Sequence, residues 1–94
     1  MKDLPTNLVA YKKTPVFKAD TIPAGLLKSH TTKNGTWGKI CVLNGQLEYC
    51  IEIEPEETIV LDKEKSGVVE PEVPHHVKPL GDVEFFVEFY KSPS

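Results

Sequence analysis

The sequence contains no arginine: all eleven basic residues are lysine, set against fourteen acidic ones for a net charge of −3. Arginine supplies the planar fork that reads phosphate and guanine, and nucleic-acid affinity rests on cationic phosphate contacts. An acidic chain without it is expected to bind neither nucleic acid nor an anionic membrane surface. No apolar run approaches the ~20 residues that span a bilayer. The opening Met1-Lys2-Asp3-Leu4-Pro5 lacks the apolar stretch of a secretory signal. A glycine-rich strand–helix turn is missing too, which argues against a nucleotide-binding or methyltransferase fold. Cysteine is scarce: Cys41 and Cys50 are not spaced as CxxC, so neither a zinc ribbon nor a thioredoxin motif is indicated. With no export signal, they read as free thiols in a reducing, cytoplasmic compartment.

What is present fits one small β domain. A chain of 94 residues has room for a single core, so residues 1–94 are expected to form one domain. Hydrophobic residues at 39% and charged residues at 27% are globular proportions and exclude disorder. Eight prolines and six glycines are spread along the chain, and no segment holds a 3.6-residue apolar period, which predicts short strands and turns. The strongest local signal is Ile40–Ile51, where Asn44-Gly45 divides two strand-like runs. Asn-Gly favours a type I′ hairpin, and that register places Ile40, Val42, Leu47, Tyr49 and Ile51 on the core face. Trp37, Cys41, Leu43, Glu48 and Cys50 fall on the other face. Further short strands are predicted over Leu8–Lys12, Ala24–Thr31, Thr58–Leu61, Val68–Glu70, His76–Pro79 and Val83–Tyr90. The sum is an all-β fold, a barrel or jelly roll.

Chemistry-bearing residues are few. His75 follows Pro71-Glu72-Val73-Pro74 and opens a strand, and His30 ends one. If those strands are neighbours the two imidazoles converge, as a metal or acid–base site. Against this stands the plainer reading of strand-end histidines bonded to local backbone, since a stable metal site takes three or four protein ligands. His76 is expected to point the other way, because successive strand residues alternate faces. Glu56, Glu57, Glu64, Glu70 and Glu72 lie near turns and read as solvated. In the hairpin register Cys41 and Cys50 are diagonal neighbours, ~7–8 Å apart and at the limit for a disulfide.

Tyr11-Lys12-Lys13-Thr14-Pro15-Val16-Phe17, the block Gly35-Thr36-Trp37-Gly38-Lys39, the later Pro71-Glu72-Val73-Pro74-His75 and the closing Glu88-Phe89-Tyr90 together resemble the TehB N-terminal/YeaR-like tellurite-resistance domain family. The likeness covers nearly the whole chain. It implies a cupin-like β-barrel linked to tellurite or oxyanion stress; methyl transfer, the work of a separate domain in longer TehB proteins, is not carried over. The general cupin pattern puts His75 at a metal-ligand position. It also puts Gly38 where a ligating glutamate is expected, and no histidine falls between Thr31 and Asn34. At most two ligands survive, His30 and His75, enough for a loosely held zinc or nickel with waters in the open positions.

The leading expectation is therefore a small stress-response protein binding a small molecule or oxyanion. The alternative is a metal-dependent cupin enzyme, and a third reading is an interaction module. Trp37, Leu43, Phe86 and Tyr90 sit on nominal solvent faces, where large apolar side chains mark interfaces, so a homodimer through that face is expected.

Overall fold

Residues 1–93 are described by a computed structural model. Among them the strands are β1 (Val9–Lys13), β2 (Phe17–Lys18), β3 (Trp37–Ile51), β4 (Glu57–Leu61), β5 (Gly67–Val69) and β6 (His75–Lys91), with one 3₁₀ turn at Ala24–Leu27. The all-β expectation holds. The strands form one antiparallel sheet in the order β1–β6–β3–β4, with β2 also on β6 and β5 also on β3. The sheet is not closed into a barrel: β1 and β4 pair with different long strands and not with each other.

The long strands β3 and β6 pair along nearly their whole lengths, with register shifts on either side of Asn44-Gly45. Such bulges bend a strand and sharpen its twist. The two halves of β3 therefore curl toward one core. Ile40 from one half and Tyr49 from the other both reach Gly67, where an added Cβ would lie 3.3 and 3.1 Å from their side chains. Leu47, Leu61 and Phe85 are fully buried between the halves, together with Val42, Val69, Val77, Val83 and Val87.

Asn44-Gly45 makes no hairpin. Both halves of β3 continue through it and pair with β6. Gly45 takes φ 78°, and a Cβ there would fall 2.1 Å from the Asp82 carbonyl oxygen. Positive φ is required equally by a type I′ turn and by a glycine-type bulge, and the 17-residue β6 offers a partner to both halves at once. The predicted core face survives this correction, because a bulge reverses the inside–outside alternation just as a two-residue turn does. Ile40, Val42, Leu47 and Tyr49 are buried, and Ile51 packs at the core's edge.

Other boundaries move as well. The segments expected as separate strands at His76–Pro79 and Val83–Tyr90 fuse into β6 across Gly81, which has φ 86°. Ala24–Thr31 is not a strand: the Leu26 amide donates to the Pro23 carbonyl at 2.9 Å, closing the 3₁₀ turn, and only His30 makes a β-bridge. Cys41 and Cys50 lie on a single strand and not diagonally across a hairpin. Both are free thiols, and Cys50 is buried.

Candidate functional site

The open end of the core is a cavity of about 250 Å³. Its floor and walls are Ile40, Val69, Val77, Phe85 and Val87 from the sheet, and Phe17 and Leu26 close one side. Gly38 contributes space: an added Cβ would press on Val69 Cβ at 3.2 Å and Val87 Cγ1 at 3.5 Å. Among the described residues no lysine, aspartate or glutamate lines it.

The polar end is built by local chain geometry. Glu72 adopts φ 63°, its amide donates to the Thr32 carbonyl at 3.1 Å, and the Pro74 carbonyl accepts from the Glu52 amide at 2.8 Å. Proline is tolerated at a strand's entry because it has no N–H to contribute, so β6 begins at His75 with its side chain inward and only 4% exposed. His30 pairs with it in both directions: its amide donates to the His75 carbonyl at 2.8 Å, and the His75 amide donates back at 2.9 Å. The two rings stand edge to face, 5.4 Å between centroids, and Tyr49 flanks His75 at 5.8 Å.

His75 Nδ1 lies 3.0 Å from the Val73 carbonyl oxygen. A carbonyl only accepts, so Nδ1 carries the proton and Nε2 keeps its lone pair. Burial, opposed by that hydrogen bond and reinforced by neighbouring His30, holds the His75 pKa below its ordinary value, which keeps the ring neutral at pH 7. Among the described residues no buried side-chain nitrogen or oxygen lacks a partner. His75 lines the cavity, and Nε2 is the ring nitrogen left to accept a hydrogen bond. Both lining hydroxyls are engaged. Thr14 Oγ1 accepts from the Val87 amide at 3.0 Å and donates to the Pro15 carbonyl at 2.9 Å; Thr32 Oγ1 donates to the Thr36 carbonyl at 2.8 Å. Tyr49 is engaged too, its hydroxyl donating to the Val68 carbonyl at 2.8 Å while burial raises its pKa.

His76 turns to the opposite side and pairs with Glu52 through Nδ1. That hydrogen bond, with a second from Ser29, lowers the Glu52 pKa. His30 and His75 thus share the cavity and His76 does not. As a metal centre the donor set stops at two imidazoles: among the described residues no cluster of three His, Cys, Asp or Glu side chains is found. Gly38, at the position where a carboxylate ligand was expected, carries no donor. A resident metal needing three or four ligands does not fit these residues.

Of the outer-face residues, Trp37 pairs with Tyr90, and Cys41 with Phe86, across β3 and β6. Leu43 stands 49% exposed beside the bulge. Phe17 and Leu26 were missed as cavity residues: each sits in an element too short to show a period.

A TehB-like domain model matches residues 12–87. The chain belongs to the TehB-like domain family. It is 36% identical over 89 residues to the probable S-adenosyl-L-methionine-dependent methyltransferase TehB of Haemophilus influenzae, covering 89% of this chain and 31% of that protein. It is 26% identical to the uncharacterised protein YeaR of Escherichia coli (strain K12), covering 99% of this chain and 86% of YeaR. The crystal structure of H. influenzae TehB superposes with a TM-score of 0.83 at 34% identity over 93% of this chain and 32% of that one. A crystal structure of an E. coli (strain K12) protein superposes over both full chains with a TM-score of 0.87 at 25% identity. This TehB-like chain therefore spans about a third of the length of TehB. No helix among its described residues is long and apolar enough to cross a membrane.

Proposed function

We propose that this TehB-like domain is a ligand-binding module that takes a small molecule into the cavity between the two halves of its sheet. The observation that carries the reading is the combination of about 250 Å³ of apolar space with a neutral, inward-facing His75. Binding sites are typically apolar concavities with a few placed polar groups. The role in tellurite or oxyanion stress is drawn from the family, and the binding role from the cavity. An oxyanion itself is a poor occupant, because burying an unpaired charge among apolar side chains is costly. The test is methyl NMR on isotope-labelled protein with xenon as probe. Shifts confined to Leu26, Val69, Val77 and Val87 support a ligand-accessible cavity; unchanged methyls at these positions count against it.

The metal-dependent alternative has one feature in its favour: a backbone carbonyl fixing Nδ1 is how ligating histidines are commonly oriented. Metal analysis of untagged protein decides it. Stoichiometric iron, manganese, nickel or zinc supports the enzyme, and substoichiometric metal leaves the binding module.

A further inference from the structure

We infer that the occupant is a neutral, compact, largely apolar molecule that donates one O–H or N–H hydrogen bond to Nε2 of His75. This deepens the binding reading above and rests on it. Size comes first: an apolar cavity of about 150 Å³ takes benzene, so the ~250 Å³ here has room for roughly ten non-hydrogen atoms.

Charge comes next. The lining carries no lysine, aspartate or glutamate, and the chain has no arginine. The lining offers no fixed charge to balance an ion removed from water.

Polarity follows from which groups are already used. The hydroxyls of Thr14 and Thr32 are committed to backbone groups. His75 gives its only N–H to Val73, so toward the cavity it presents an acceptor. An acceptor left dry inside an apolar site is unfavourable, and a ligand that supplies the missing donor is selected over its isostere. His30, whose ring stands at 85° to that of His75 with centroids 5.4 Å apart, is the other nitrogen-bearing side chain on the lining.

The probes are 4-ethylphenol, its isostere 4-ethyltoluene and the anion 4-methylbenzoate, titrated by methyl NMR at pH 7.5 into the wild type and His75→Phe. The phenol is expected to bind, and its affinity relative to the toluene should fall about tenfold in the variant, the loss of one buried hydrogen bond. The benzoate should not bind. Because the phenylalanine variant bears on folding as well, the ¹⁵N shift of His75 Nε2 in the wild type is the second readout; it should move upfield when the phenol enters. If the preference is the same in both proteins and Nε2 does not shift, the hydrogen bond is overturned while the cavity stands. Tighter binding of the benzoate overturns neutrality. If none of the three probes binds and xenon also leaves the methyls unmoved, the cavity reading falls with it.

Discussion

His30 and His75 exchange both backbone hydrogen bonds of a single bridge, at 2.8 and 2.9 Å, and so hold their imidazoles edge to face without any side-chain bond between them. Their closeness is a property of the main chain. Replacing either ring leaves the bridge in place, so each can be varied to test chemistry.

Stability should fall in acid in two stages. His75 has a folded pKa below its ordinary 6.5, so below that value the unfolded chain binds the extra proton and unfolding is favoured. His30 and Tyr49 flank the ring, while Glu52 and His76, paired on the opposite side, act on it only electrostatically. The lowered Glu52 pKa acts in the next window: its contribution is present above its ordinary 4.5 and lost as pH falls below it. Urea midpoints measured from pH 7.5 to 3.5 should show both declines. His75→Gln should remove the upper one and keep the lower.

Gly45→Ala should cost at least about 2 kcal/mol, combining a left-handed backbone with a Cβ placed 2.1 Å from the Asp82 oxygen. Gly35→Ala is the control. It shares the positive φ, 80°, but has open space around the added carbon, and should cost no more than about 1–2 kcal/mol. Urea denaturation of both variants checks this; equal losses would remove the close β3–β6 approach at the bulge.

Leu47→Ala should destabilise by about 2–5 kcal/mol, since it empties a fully buried position. Leu43→Ala, four residues away on the same strand but 49% exposed, should stay within about 0.5 kcal/mol. Chemical denaturation at one fixed protein concentration separates the two.

A second copy of the chain is the proposed partner of the outer sheet face. Trp37, Phe86 and Tyr90 lie there beside Lys39 and Glu88, which pair across strands. Opposite charges side by side make the face self-complementary under a two-fold axis. Within the segment Leu4–Phe17, Val9–Lys13 and Phe17 extend the sheet as β1 and β2, and the Lys13 ammonium lies 5.5 Å from the Phe86 ring. Light scattering at micromolar concentration should give twice 10.5 kDa, and Trp37→Glu should give a soluble 10.5 kDa species. A wild-type monomer would end this proposal.

The inward set Ile40, Val42, Leu47 and Tyr49 was legible because alternation is a local property of a strand. The partner of that strand was not. Asn44-Gly45 specifies a backbone conformation, and two different structures use it; the choice was made by β6, more than thirty residues away. The inward His75 was readable from the proline-rich turn before it. Its neutral state was not, because that depends on burial by residues distant in the sequence, which outweighs the local Val73 hydrogen bond. Phe17 and Leu26 left no trace, since a two-residue strand and a single 3₁₀ turn are too short to carry a pattern.

The central place of β6 also sets an order of events. Among the described residues β1 and β2 pair with nothing else, and β3 finds its longest partner there. A nascent chain that has emerged only as far as β5 holds five of the six strands yet can assemble only β3, β4 and β5 into native ladders. Its apolar residues from both halves of β3 then wait, uncovered, for the last strand. Sheets dominated by such distant pairings fold slowly, on the scale of milliseconds to seconds, and the interval before β6 arrives is when this chain is most exposed to aggregation.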